Sequence, residues 1–281
     1  MSYSKIKSFA KINIALNVTG KSFSMHKIES IVSFLDLHDQ IFIKKIRNKN
    51  HHIKFEGLFR RNIKKDNTIS KLFKILEKEK IFQNLKFKVI VKKNIPSRAG
   101  LGGGSMNAAC VLKFLIKKKF IKISKKRVLK ITSLIGSDVI LGMYSKNLIL
   151  KSNKKIKEFS IKNLFHILIV KPNFGCSTGK IYSSIKKFKK PKFNQPSKKM
   201  FEINFLKKTQ NDLENVSFYK YPKIHRLKIF LEKLPKVELV RMTGSGSAVI
   251  AYFLSKKHCR DSEKKVKKQF RNYWCKISKT I

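Results

Sequence analysis

The sequence predicts an α+β protein of two domains, and three observations carry that reading. Apolar runs with strand alternation and runs with helical spacing are mixed in both halves of the chain. At 281 residues the chain is long enough to bury more than one core. A lysine-rich link, Lys151 to Phe159, lies between the halves and sets the expected domains at residues 1–153 and 154–281.

Taken in order, Ile6 to Val18 reads as a strand, with Lys11 and Asn13 on the face opposite Ile12, Ile14 and Leu16. By pattern alone such a lysine is a solvated residue. After a polar turn from Thr19 to Met25 comes His26. Ile28, Ile31, Val32, Phe34 and Leu35 then form a second strand-like segment that ends at Asp36 to Asp39. Asn48 to Lys65 is polar and basic, suited to edge strands and loops. Its adjacent His51 and His52 point to opposite faces of a strand, which makes them poor joint metal ligands. Asp66-Asn67-Thr68 precedes Ile69, Leu72, Phe73, Ile75 and Leu76, the signature of a capped amphipathic helix. Phe87-Lys88-Val89-Ile90-Val91 is a strand. Helical patterns follow at Ala108 to Leu115 and Lys126 to Leu134, and the second leads into a turn holding Asp138. In the second half Phe165 to Val170 is a buried-type strand stopped by Pro172, and Lys186 to Lys199 reads as a mobile solvated loop. Leu227 to Leu234 is helical. Glu238 to Met242 and Ser247 to Phe253 form strands around a tight turn, Thr243-Gly244-Ser245-Gly246. Val266, Phe270, Tyr273 and Trp274 recur at helical spacing and predict a packing helix.

The stretch with the clearest chemistry joins the Phe87–Val91 strand to the helix after it: Pro96-Ser97-Arg98-Ala99-Gly100-Leu101-Gly102-Gly103-Gly104-Ser105-Met106. Glycines without Cβ atoms let backbone N–H groups close on an anion, and a helix N-terminus adds unpaired donors. The loop is therefore expected to hold phosphate. It is not a Walker loop, because no lysine precedes Ser105 in the required place, and its adjacent glycines differ from the spaced glycines of the dinucleotide fingerprint.

The 66 Lys and Arg against 16 Asp and Glu give a net charge of +50, which invites a nucleic-acid reading. The lysines are spread through nearly every segment beside abundant Ile, Asn and Phe, as a composition bias would spread them, and no basic stripe with interleaved aromatics is confined to one face. Cys110, Cys176, Cys259 and Cys275 are too scattered for a metal site or disulfide frame and suit a reducing compartment. No apolar run reaches the roughly 20 residues of a membrane span, so a soluble, cytoplasmic protein is expected.

With these loops placed, nearly the whole chain resembles the GHMP kinase superfamily. The resemblance rests on Ala10-Lys11-Ile12-Asn13, Val18-Thr19-Gly20, His26, Phe34-Leu35-Asp36-Leu37, the glycine loop through Ala109, Gly136-Ser137-Asp138-Val139-Ile140 and Arg241-Met242-Thr243-Gly244-Ser245-Gly246. It implies a ribosomal S5 domain 2-like N-terminal domain and a ferredoxin-like C-terminal domain. It also implies ATP as co-substrate with Mg2+, and no nucleic-acid or membrane partner. Within the superfamily the triple glycine is similar to a branch acting on a small molecule with a cytidine diphosphate group. That branch phosphorylates the 2-hydroxyl of a branched sugar alcohol in the non-mevalonate route to isopentenyl diphosphate. The implied roles are Asp138 as general base and Lys11 as the cation beside it, with Pro96 to Met106, Asn67 and Lys93 on ATP. Asn13, His26, Thr178 and Tyr182 fall on the substrate side. Met25 stands where the family commonly has an aromatic residue, leaving Tyr182 as the ring for cytosine. No acidic metal ligand is assigned. The alternatives are another small-molecule kinase of the superfamily and a basic nucleic-acid-binding protein on the same scaffold.

Overall fold

Strand pairing extends further in the first 46 residues than the apolar pattern predicts. In a computed structural model that describes residues 2–22, 25–61, 63–161 and 165–281, β1 (Ser4–Ser22) and β2 (Met25–Ile46) are long paired strands. β2 does not stop at Asp36 to Asp39, because Asp39 is accommodated inside it by buried donors described below. The chain forms two units, each assembled from separate segments. The first contains residues 1–10, 37–97 and 102–145, and the second 11–36, 98–101 and 146–281. The change of unit falls within both strands, after Ala10 in β1 and after Asp36 in β2.

In the first unit, β3 (His52–Glu56) lies at the edge, parallel to the strand that follows α1 (Thr68–Lys78). That strand, β4 (Lys86–Lys92), is antiparallel to β2 on its other side. Phe87, Val89 and Val91 of β4 point one way and are fully buried. They meet Leu72, Phe73 and Leu76 of α1, Val111, Leu112 and Leu115 of α2 (Gly103–Lys117), and Ile131 of α3 (Lys125–Ile135). Each such side chain contributes about 1.5–3 kcal/mol by leaving water. α1 starts where the sequence places it: the Asn67 side chain accepts from the Ile69 and Ser70 N–H groups, and the Ser70 hydroxyl accepts from the Asn67 N–H. Asn67→Ala is expected to cost about 1 kcal/mol, read as a lower urea midpoint with an unchanged slope.

In the second unit, β5 (Asn147–Leu150) pairs with β2 at residues 30–32 and with β6 (Ile156–Phe159). Next come β7 (His166–Lys171), the helices α4 (Thr178–Tyr182), α5 (Ile203–Lys207), α6 (Leu213–Lys220) and α7 (Pro222–Glu232), and then β8 (Leu239–Met242) and β9 (Val249–Phe253). α8 (Lys256–Gln269) and β10 (Trp274–Lys279) follow. The spatial order β10-β7-β9-β8, antiparallel throughout, is the ferredoxin-like arrangement. Leu168, Val170, Val249, Ala251 and Phe253 of the sheet pack with Leu227, Leu231 and Val266 of the helices. Leu16 and Val18 of β1 join the same core.

Two expectations are corrected here. Tyr273 and Trp274 do not extend a helix: α8 ends at Gln269, and Trp274 to Lys279 pair with Lys171 to His166 to complete the edge of β7. The alternation of Tyr273, Cys275 and Ile277, all packed on the core, was the competing signal. Residues 186–199 are not a free solvated loop. Phe193 is buried, and the N–H groups of Lys192 and Phe193 donate to the buried carboxylate of Glu29.

Candidate active site

In the second unit the strand motif, the first part of the glycine loop and the β8–β9 connection are tied by hydrogen bonds. Lys11 is 2 % exposed, not solvated as alternation alone implies. Its Nζ donates to Asn13 Oδ1 at 2.6 Å, and Asn13 Nδ2 donates to Ser30 Oγ at 2.8 Å, so both ends of the Asn13 amide are fixed. The Asn13 N–H donates to Thr243 Oγ1 at 3.0 Å, and that hydroxyl donates to the Gly100 carbonyl at 3.2 Å. The Lys11 N–H reaches the Leu101 carbonyl, while Ser247 and Ala248 donate to Arg98 and Ala99. Gly100 has φ +74°, and a Cβ there would lie 1.9 Å from the Thr243 carbonyl oxygen, so no other residue fits. Asn211 Nδ2 donates to both the Met242 and Gly244 carbonyls at 2.8 Å, and the Gly246 N–H closes a tight turn on the Thr243 carbonyl at 3.0 Å.

Also in the second unit, the rings of His26 and Tyr182 are 5.1 Å apart, and Thr178 Oγ1 lies 2.9 Å from Ser245 Oγ. Partial burial and the Lys21 ammonium hold the His26 pKa below its ordinary value, which favours a neutral imidazole. The Met25 side chain lies outside the described residues.

The first unit holds the rest of the loop. Gly102, at φ +68°, turns the chain into α2, and no side chain caps the helix there. The first turn, Gly103-Gly104-Ser105, thus presents backbone N–H groups of the kind that bind anions. The Thr68 hydroxyl donates to the Gly104 carbonyl at 2.6 Å, joining the starts of α1 and α2. Lys93 is buried and ion-paired with Asp39, and Asn67 is the cap of α1, so both side chains are engaged within the fold. Asp138 is half-buried in a turn between α3 and a short 3-10 helix, Ile140–Met143. The turn is pinned by buried Val139 and by Gly142, whose added Cβ would lie 2.6 Å from Ala109 of α2.

Pattern reading missed Asp39, Thr243 and Asn211. Asp39, between His38 and Gln40 at the end of an apolar run, reads locally as the close of a strand. For Asn211 no local signal exists. A cavity of about 770 Å³ lies among Lys44, Lys45, Arg47, Asn48, His52 and Lys88, none of them a candidate site residue. It has neither a glycine loop nor a carboxylate that accepts a proton. Among the described residues, no group of three or more His, Cys, Asp or Glu side chains is placed to hold a metal ion. No described helix is long and apolar enough to cross a membrane.

The mixed α+β fold carries a glycine-rich helix start in one unit and a second glycine turn in the other, and kinases of small molecules are among the solved proteins that share it. Residues 67–146 match the family described as GHMP kinases N terminal domain. The chain is 55 % identical over 277 residues, 99 % of each protein, to the 4-diphosphocytidyl-2-C-methyl-D-erythritol kinase of Pelagibacter ubique (strain HTCC1062). It is 34 % identical to the protein of that name from Petrotoga mobilis over 254 residues, 87 % of this chain and 96 % of that one. The chain belongs to the 4-diphosphocytidyl-2-C-methyl-D-erythritol kinase family of GHMP kinases. Two solved structures share the fold. One is a 4-(cytidine 5'-diphospho)-2C-methyl-D-erythritol kinase (TM-score 0.77, 19 % identity, 98 % of this chain and 99 % of that one). The other is the homoserine kinase of Cytophaga hutchinsonii (TM-score 0.71, 14 % identity, 99 % and 94 %).

Proposed function

We propose that this chain transfers the γ-phosphoryl group of ATP to the 2-hydroxyl of 4-diphosphocytidyl-2-C-methyl-D-erythritol, a step of the non-mevalonate route to isopentenyl diphosphate in the cytoplasm. The observation that carries the reading is the 55 % identity to a kinase of that name over 99 % of both chains. Pro96 to Met106 hold the phosphates. The glycine at 104 supports this: an added Cβ would meet only Thr68, at 3.5 Å or more, so the fold itself makes no demand for glycine there. Close approach of a ligand does. Asn67 and Lys93, with side chains engaged elsewhere, contribute through their backbone.

Asp138 accepts the proton of the acceptor hydroxyl as its oxygen attacks the γ-phosphorus and the bond to the β-phosphate oxygen breaks. Lys11, oriented by Asn13, offsets charge on the transferring group. His26 and Thr178 read the cytidyl end with Tyr182 beside the base. Magnesium would come with ATP and, with no acidic cluster placed for it among the described residues, would take its oxygens mainly from phosphate and water. When bound it neutralises phosphate charge. The division into 1–153 and 154–281 is kept only as one of sequence motifs, with the glycine loop and Asp138 before it and the second glycine turn after it, and neither nucleic acid nor a membrane is a partner.

Steady-state phosphorylation of this acceptor against homoserine and mevalonate tests the assignment. The expected result is a kcat/KM at least a hundredfold higher for the cytidyl substrate. Turnover of homoserine or mevalonate alone would instead place the chain with another GHMP kinase.

A further inference from the structure

We propose that Asp39 is a positioning residue for the phosphate loop, fixing the strand that enters the loop and the helix that leaves it to one buried carboxylate. The inference rests on the proposed role of Pro96 to Met106 in binding ATP. Asp39 lies inside β2 and is fully buried. Its Oδ1 accepts from the Asn94 N–H at 2.8 Å and the Ile95 N–H at 2.9 Å, immediately after β4 and just before the loop. Its Oδ2 accepts from the Lys93 ammonium and, at 2.9 Å, from Asn107 Nδ2 in the first turns of α2, just after the loop. One carboxylate thus takes donors from both ends of the glycine segment.

A buried ion pair is weak evidence of stabilisation, since apolar residues of similar volume often serve as well. Its value here is geometric. An added Cβ at Gly103 would lie 3.1 Å from Lys93 Nζ and 3.0 Å from Ile95 Cγ2, so the groups that Asp39 holds are the floor under the first helical residue of the loop. Asn107 Oδ1 is buried without a partner among the described residues, so this amide serves the fold only through its bond to Asp39. Misplacing a phosphate-binding helix start by a fraction of an ångström weakens each N–H contact it makes, because hydrogen bonds fall off steeply with distance and angle.

Two variants test this, with equilibrium ATP binding and steady-state kinetics as readouts. Asp39→Ala removes the carboxylate. Asn107→Leu removes only the exit anchor and its unpartnered oxygen, leaves the Lys93 pair intact and is near-isosteric, so it folds where Asp39→Ala fails to. The expected result is an ATP Kd raised at least tenfold in Asp39→Ala and about threefold in Asn107→Leu, with KM for the acceptor unchanged. In Asp39→Ala the released Lys93 ammonium adds attraction for phosphate, so weaker binding there reports misplacement against an opposing effect. Parental or tighter ATP affinity in the folded Asn107→Leu protein overturns the proposal. Gly104→Ala separates the two levels. If it loses ATP affinity while Asn107→Leu does not, only the role of Asp39 fails; if it too binds ATP normally, the loop assignment fails and the inference with it.

Discussion

Asp138→Asn is expected to bind ATP with nearly parental affinity and to turn over about a thousandfold more slowly, within the range that a positioned general base contributes. The amide keeps the size of the carboxylate and so spares the turn that carries it, which is held by buried Val139 and by the approach of Gly142 to α2. It cannot take a proton from the acceptor hydroxyl. A group acting only in the chemical step lowers kcat and kcat/KM together and leaves the nucleotide Kd unmoved. Single-turnover kinetics with directly measured ATP binding separate the two quantities, and near-parental rates would remove Asp138 from the mechanism.

Gly103→Val is expected to lose ATP affinity by at least tenfold, about 1.4 kcal/mol or more. Its Cβ would press on Ile95 and on the Lys93 ammonium, and the branched side chain must lift the start of α2 away from its floor. Because this strain also lowers stability, Gly104→Ala supplies the cleaner comparison. A Cβ at 104 meets only ordinary contacts with Thr68, and alanine suits a helix better than glycine, so stability holds or rises. Weaker ATP binding by Gly104→Ala without loss of melting temperature assigns that glycine to the ligand. Unchanged nucleotide affinity in both variants would show that the loop is misassigned.

What could be read from the sequence were features whose causes are local. Asn67 and the apolar spacing behind it announced α1, and the glycine run announced the start of α2, since capping and periodicity act within a few residues. Asp39 was hidden because its partners lie 54 to 68 residues away along the chain, and Thr243 because the Asn13 N–H that its hydroxyl accepts is 230 residues distant. Without those donors an acid inside a strand looks like a strand end. Trp274 was read as helical because helix spacing and strand spacing both fit a short apolar set, and the open edge of β7 decided between them. Buried Lys11 shows the same limit, since alternation assigns a face and not what covers it.

The interleaving of the two units has a consequence for how the gene can be divided. The ferredoxin-like core includes Leu16 and Val18, and β1 is bonded into it where Leu16 exchanges N–H and carbonyl contacts with Gln210 and Asp212 and Val18 accepts from Lys189. A reading frame that starts at residue 146 encodes the whole β10-β7-β9-β8 sheet and its helices but not the strand whose Leu16 and Val18 share their core. Recombination or circular shuffling of this half as a cassette would therefore separate residues that share a core, and a swap would have to carry residues 11–36 along with it. The modules that selection can exchange here are noncontiguous in the DNA.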